Sequence, residues 1–389
     1  MTTLELMNSR KDNLMNVVRR EPAKWVPLIS INSFGAFGYA GKSYWELEHD
    51  YEGLPKAYGK VYSVLPADAS TGDTPSFNGR ADEIMEGHAQ YKVTTDGYNL
   101  QHLQNSKMLE TDYPIATPDI HKFNREVMLP RKFPFLFEME PEAAAEKLIA
   151  LMKEANYVSG TGPVSKIKQY IEDTYGIYHF TDKLHRVSTP GDVLFDLYRG
   201  FKGSLTDLRR HYEEMKVFCD ALWDQKFYMH YDGSPLDPEK FPAYMAHIPA
   251  FLNAKQYGDL CFKYYKQQVG GIYAGGSRNF LLAEGSWSHL FDYFKDLPKD
   301  SVLMSLENDD VIESKKILGD YQIILGGSKM CDLRLATEQE CIDKAKAVID
   351  ACAPQGGYMF TTDKAWCCNG DITPNLIAVY NFVHEYAKY

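Results

Sequence analysis

Glu284, Glu307, Cys331, Cys367 and Cys368 are residue types that bind metal ions, and each follows a stretch that reads as a buried strand. Glu284 closes RNFLLA (278–283), and Glu307 closes SVLMSLE (301–307). Cys331 lies four residues past YQIILGG (321–327), and Cys367 and Cys368 lie five and six past GGYMFTT (356–362). Two thiolates and one carboxylate suit zinc, a borderline-soft cation that takes sulfur at ~2.3 Å and oxygen at ~2.0–2.2 Å. Three protein ligands leave a fourth position open for a reacting atom, as a catalytic zinc needs. The spacing, 23 residues between Glu307 and Cys331 and 35 between Cys331 and Cys367, is far too long for a zinc ribbon or finger. Only the fold could bring such residues together. Other readings stand beside this one. A lone cysteine is commonly a small buried hydrophobe, the role assigned to Cys219, Cys261, Cys341 and Cys352. By residue type alone it fits Cys331, Cys367 and Cys368 as well. Glu307 is equally readable as a rim carboxylate, and Asp309 and Asp310 as N-caps of the next helix.

The elements that must position these residues are clearest in the C-terminal third. Three short apolar strands, Ser301–Glu307, Tyr321–Gly327 and Gly356–Thr362, alternate with helices. The first helix is carried by DDVIESKKILG. The second, Thr337–Cys352, opens with a capping box of Thr337 and Glu340. The third, Pro374–Tyr386, has proline in its first turn, where the missing N–H has no partner to lose. Strand–helix repetition of this kind signals parallel βαβ units. An earlier strand is expected at Arg278–Ala283, and others at Trp25–Ile31, Lys60–Leu65 and Lys226–His230. No GxGxxG follows a first strand and no P-loop is present, which weakens an open nucleotide-binding sheet. A closed parallel barrel is the expectation. In a barrel the C-terminal strand ends converge on one mouth, and the metal-binding residue types all fall at such ends.

Composition bounds the partners. The chain has 389 residues, 44% of them apolar, and a formal charge of −11 without a Lys/Arg-rich run. Nucleic acid and anionic membranes are therefore unexpected partners. No apolar stretch reaches ~18 residues, and the first twenty residues lack the apolar core of a signal peptide. A cytoplasmic location is expected, where seven cysteines argue against a disulfide framework.

Asn32, His88, His230 and Trp287 are candidate substrate-binding residues. His102 belongs in the same group by its place near a loop. Each histidine also has a plain structural or surface reading, and Trp287, three residues past Glu284, has one in the core. There is no GxSxG elbow to support a Ser-His-Asp site. The GTGP stretch at 160–163 lacks the lysine of a phosphate loop and reads as a turn.

The segments MNSRKDNLMNVVRREPAKWVPL and KILGDYQIILGG…ATEQECIDKAKAVIDACAPQGGYMF…TPNLIAVYNFVHEY resemble the uroporphyrinogen-decarboxylase-like superfamily. YRGFKGSLTDLRRHYEEM, FLNAKQYGDLCFKYYKQQV and AEGSWSHLFDYFKDLPKD look like its branch of corrinoid-dependent O-demethylase methyltransferases. The likeness runs over nearly the whole chain. It implies a single (β/α)8 TIM-type barrel over residues 1–389, with a helical extension over about 1–24. True decarboxylases of the family carry an arginine-rich RPxWxMRQAGRY-like motif, where this chain has SINSFGAFGYAGKSYWELEHD. Without those guanidiniums a polyanionic porphyrinogen is poorly held. Family members that methylate thiols use a His-x-Cys pair where this chain has Leu282-Ala283-Glu284. The O-demethylating branch fits better. Carried over, zinc is held by Glu307, Cys331 and one of Cys367 and Cys368, with Glu284 beside it to orient the substrate phenol or take its proton. The implied partners are a separate protein carrying a Co(I) corrinoid and a small methoxylated, aromatic donor; a homodimer stays open. Three alternatives remain: a decarboxylase, a methyltransferase using a methylamine, methylthiol or methoxylated alkane, and a barrel that binds a tetrapyrrole or corrinoid without chemistry.

Overall fold

Val302–Leu306 is five apolar or small residues without one exposed position, the mark of a strand covered on both faces. In the computed structural model it lies within a curled parallel sheet of a mixed α/β protein. The structure describes residues 1–47, 50–73, 79–86, 91–103, 106–156, 162–227 and 231–388. The strands are β1 (Ile29–Ser30), β2 (Ala69–Ser70), β3 (Tyr91–Val93), β4 (Leu100–His102), β5 (Tyr178–His179) and β6 (Thr181–Arg186). They continue with β7 (Phe241–Ala246), β8 (Asn279–Ala283), β9 (Val302–Leu306), β10 (Ile323–Leu325) and β11 (Tyr358–Met359). β3 and β4 form a small antiparallel hairpin. The others form two parallel sheets, β1-β2-β5 and β6-β7-β8-β9-β10-β11.

The two sheets meet at both ends. Leu28 pairs in parallel with Phe360, and Ile29 N donates to Phe360 O at 2.8 Å. At the other junction β5 runs through Phe180 into β6; Phe180 N donates to Ser70 O at 3.3 Å and Phe180 O accepts from Phe241 N at 2.8 Å. The arrangement is TIM-like. Strand residues Ile29, Ala69, Phe180, Phe241, Phe280, Leu303, Ile323 and Met359 cluster with Leu14, Val17 and Val18 of the N-terminal helix Thr3–Val18. Apolar packing thus ties that helix to the strands.

The capping box at Thr337 and the helices Glu338–Cys352 and Pro374–Tyr386 stand as the pattern requires. Cys219, Cys261, Cys341 and Cys352 are buried. Asp310 caps the helix Val311–Leu318, but Asp309 does not; it accepts from Trp287 N and Ser288 N. One expected strand is corrected, and another, Lys226–His230, falls mostly outside the described residues. Lys60–Leu65 belongs to the end of a helix, Leu54–Tyr62, whose buried Leu54, Ala57, Tyr58, Val61 and Tyr62 recur at helical spacing. Lys226 is a turn residue with φ of 51°, and His230 lies outside the described residues. Strands β2, β5, β6 and β7 were not expected. β2 is too short to show alternation, and β7 carries Pro242 near its start, where the ladder is irregular. Among the described residues, no helix is long and apolar enough to cross a membrane.

Arg20 joins the N-terminal segment to the loops that enter β9 and β10. Its guanidinium donates to Asp300 Oδ1 at 2.7 and 2.9 Å, to Gly319 O at 2.7 Å and to Gln322 O at 3.0 Å. Arg20→Ala is expected to cost about 2–3 kcal/mol, below the full cost of breaking a buried pair because both partners keep some water contact. Urea denaturation measures it; an unchanged midpoint would mean that the anchor contributes nothing.

Candidate active site

Asp192 lies near the strand ends with no exposed surface. It sits in a short helix, Pro190–Val193, capped by Thr189. Its Oδ1 accepts from His247 N at 2.8 Å and Ile248 N at 2.9 Å, and its Oδ2 from the hydroxyls of Thr189, at 3.0 Å, and Tyr244. Burial pushes its pKa up and the charge of Asp196 adds to this, while His247 and the donated hydrogen bonds pull it back. The result is a fixed backbone at the end of β7. From there the His247 ring reaches two carboxylates: Nδ1 is 3.0 Å from Asp196 Oδ2, and Nε2 is 3.5 Å from Glu284 Oε1. Burial alone would lower the imidazole pKa. The two acidic partners outweigh it and raise it to about 11.

Glu284 ends β8 and is positioned by the turn after it. Gly285 has φ of +80°, a conformation that strains any side chain, and a Cβ there would lie 2.5 Å from the Cβ of Ala250. The turn aims Gly285 N at Glu307 Oε2. Trp287 is wholly buried against Tyr257 and Phe294, and its indole N–H donates to Glu284 O at 2.8 Å. Trp287 is therefore a core residue that holds the Glu284 backbone. Glu307 also pairs with Lys364 Nζ at 2.7 Å, which raises the lysine pKa.

Cys367 shares this neighbourhood. It is exposed, yet crowded enough by protein that its thiol is pushed up to about 11; the nearby Ser33 hydroxyl lowers the pKa, and Cys368, Asp371 and Glu284 raise it. The Tyr91 hydroxyl, raised first by burial, feels His247, Asp196, Glu284 and Cys367 together. Cys368 is exposed as well. Burial leads its upward shift, Asp371 adds to it, and Arg334 opposes it. Cys331 is exposed in the first turn of the helix Met330–Leu335. Asn32 is buried after β1, where its backbone pairs with Trp366. His88 and His230 lie outside the described residues.

Among the described residues, two groups of three ligand atoms lie within 4.8 Å of one another: Glu110, Asp207 and His211, and Asp192, Asp196 and His247. Glu307, Cys331, Cys367 and Cys368 are not gathered so closely. In the first group Arg199 donates to both oxygens of Asp207, leaving little room for a cation. The second adjoins Glu284, 3.5 Å from the His247 ring, and a histidine with carboxylates is a donor set that zinc accepts once the imidazolium gives up its proton. The residues present fit a divalent metal. Sequence reasoning missed Asp192, Asp196 and His247. The signal was available in TPGDVLFD, where two acids sit at i and i+4, and in AHIPAF, but the strand before His247 was hidden by Pro242.

Neither a protein-family model nor a curated protein matches the sequence. Among solved structures, a methyltransferase from Methanosarcina mazei is similar at 13% identity with a TM-score of 0.55. The match covers 97% of this chain and 98% of that one, so the likeness is one of overall fold.

With its pKa raised, His247 should stay doubly protonated at pH 8, as read by nitrogen chemical shifts of the ring. The unfolded imidazole titrates near ~6.5. Its pairing therefore stabilises the fold fully below that pH, and the gain fades as pH rises toward about 11. Glu284→Gln should lower the imidazole pKa by about one unit or more. A ring that titrates near its ordinary value in the wild type would contradict the assignment.

Proposed function

We propose that this chain is a zinc-dependent methyltransferase that takes a methyl group from a small methoxylated, aromatic compound and passes it to the Co(I) corrinoid of a separate protein. The observation that carries the reading is the His247 ring held between Asp196 and Glu284 just after β7 and β8, where Tyr91 feels their charge and that of Cys367, in a fold similar along its whole length to that of a methyltransferase. The same reading takes the two joined sheets as a complete (β/α)8 barrel whose mouth holds these groups.

Cys367, with Glu284 or Glu307 and with Cys331 as the remaining expected ligand, would hold zinc, which when bound supplies Lewis acidity toward an ether oxygen. The chain's own groups do the rest. An aryl methyl ether resists cleavage because phenolate leaves poorly. His247, held as an imidazolium, gives a proton to the departing oxygen. A phenol pKa of ~10 lies close to that of the paired imidazole, so the transfer runs nearly level. Glu284 orients the ring and relays charge to it, and Asp192 keeps the ring in place. No side chain need act on the methyl carbon, because the nucleophile arrives with the partner protein.

The test combines purified protein, a reduced corrinoid protein and a panel of methoxyaromatics, followed by the corrinoid spectrum. His247→Ala should lower turnover by ~10²–10⁴-fold. Cys367→Ala should lose bound zinc by elemental analysis and lose demethylation with it, while Cys368→Ala should keep both. Full zinc and full activity in Cys367→Ala would rule out the proposed centre.

A further inference from the structure

β6 pairs with β7 through Asp182 opposite Pro242 and Arg186 opposite Ala243, so residues 183–185 stand out of the ladder as a bulge. Bulges re-aim side chains and recur beside active sites. This one turns Asp182 and His185 toward each other: His185 Nδ1 is 2.7 Å from Asp182 Oδ2. Asp182 Oδ1 also accepts from Leu184 N at 2.7 Å and His185 N at 3.1 Å, which fixes the carboxylate beside the ring. Across the imidazole, Nε2 lies 2.9 Å from Ser234 Oγ. Ser234 comes from the loop before β7, and that loop is tied back to the bulged strand. Tyr231 sets its ring edge-on to His185 at 6.1 Å, and its hydroxyl donates to Ser234 O at 2.8 Å. Gln268, which is buried, accepts from Tyr231 N at 3.2 Å and donates to Ser188 O at 2.7 Å. Two segments far apart in the chain are thus held in one arrangement.

Carboxylate, imidazole and hydroxyl, each within hydrogen-bond reach of the next, are the parts of a nucleophilic serine site, which is known by its geometry and not by a motif around the serine. The methyl-transfer reading uses none of the three. We propose that Asp182, His185 and Ser234 form a second, hydrolytic site that acts on esters with a small apolar acyl group and a good leaving group. Asp182 keeps the Nδ1 proton facing the carboxylate, so Nε2 is the acceptor. Ser234 Oγ bonds to the ester carbonyl carbon as Nε2 takes its proton; the bond from that carbon to the leaving oxygen then breaks, and the proton departs with the alcohol. Water repeats both steps on the acyl-serine, so ester and water become acid and alcohol and the serine is restored. Asp232 guards the resting site, for its Oδ1 accepts from Ser234 Oγ and, at 2.9 Å, from Ser234 N. Asp232 is exposed; once it turns out into water the hydroxyl is left to His185 and the N–H to the oxygen that gains charge. The substrate class follows from the surroundings. Ser234 stands between exposed Gly233 and Pro235, and Leu184 of the bulge is 90% exposed. So open a site grips little of its substrate, and only a leaving group that departs easily makes up for it.

The probes are diisopropyl fluorophosphate, which phosphorylates activated serine hydroxyls, and p-nitrophenyl acetate. Wild type should carry the phosphoryl label on Ser234, located by peptide mass, and should release p-nitrophenolate in a burst followed by steady turnover. Ser234→Ala, a change in an exposed turn, should lose label and burst together. His185→Gln and Asp182→Asn should each be labelled ~10²-fold more slowly, and Asp232→Ala faster. The gain in Asp232→Ala is one that a merely structural cluster would not give. No label on Ser234 in wild type, ester hydrolysis as fast in Ser234→Ala as in wild type, undiminished labelling in both His185→Gln and Asp182→Asn, or no gain from Asp232→Ala would overturn the proposal.

Discussion

A carboxylate shut away from water must be matched by donors, and Asp192 is matched by two backbone N–H groups and two hydroxyls. Removing any of them would leave part of a buried charge uncompensated, which is far costlier than losing a surface contact. The backbone at 247–248 therefore has little freedom. Since the His247 ring hangs from that backbone, its reach to both Asp196 and Glu284 depends on a group that touches neither. Tyr244, on β7 itself, closes the set, so the strand and the short helix before it are locked to each other at the level of the site.

The same logic separates the two ends of the sheet. At one end the strand side chains pack with the N-terminal helix, and Arg20 satisfies carbonyls in the loops leading into β9 and β10. At the other, the loops carry glutamate, histidine, cysteine and lysine. Side chains there are fixed by local devices: the left-handed Gly285 after Glu284, the Trp287 indole bonded to the Glu284 carbonyl, and the Asp309 carboxylate on the N–H groups of Trp287 and Ser288. Rigid support beneath exposed functional groups is what precise chemistry needs.

How much of this could be read from residues alone depended on pattern length. Glu338–Cys352 announces itself through Thr337 and Glu340 at one end and helical apolar spacing along its length. Strands β8 to β11 stand out because parallel strands buried on both faces are continuous apolar runs. The N-terminal half lacks such runs. β2 and β5 have two residues each, and a single strand of that length carries no period to detect, whereas β1 falls within the expected Trp25–Ile31. Hence Glu284 and Cys367 could be placed at strand ends, while His247 could not. Which of two adjacent cysteines belongs with Glu284 is a matter of side-chain direction, which one sequence does not carry. In the structure Ser33 and Glu284 act on Cys367 alone and Arg334 on Cys368 alone, while Asp371 acts on both.

Charge pairing also explains why the expected zinc ligands stand apart. Glu284 is paired with His247 and Glu307 with Lys364, so each candidate carboxylate already has a cation. A divalent ion entering here competes with those cations rather than filling an unpaired acidic hole. It must also take the proton from a Cys367 thiol whose pKa stands at about 11. Metal affinity at such a site is coupled to proton release, and it strengthens as pH rises. The freed His247 would then keep only Asp196 as a partner, which lowers its hold on the proton and brings it closer to the range where it can pass that proton to a departing oxygen. In the proposed reading, binding and proton transfer would be linked through one carboxylate, Glu284, which lies 3.5 Å from His247 and acts on the charge of Cys367.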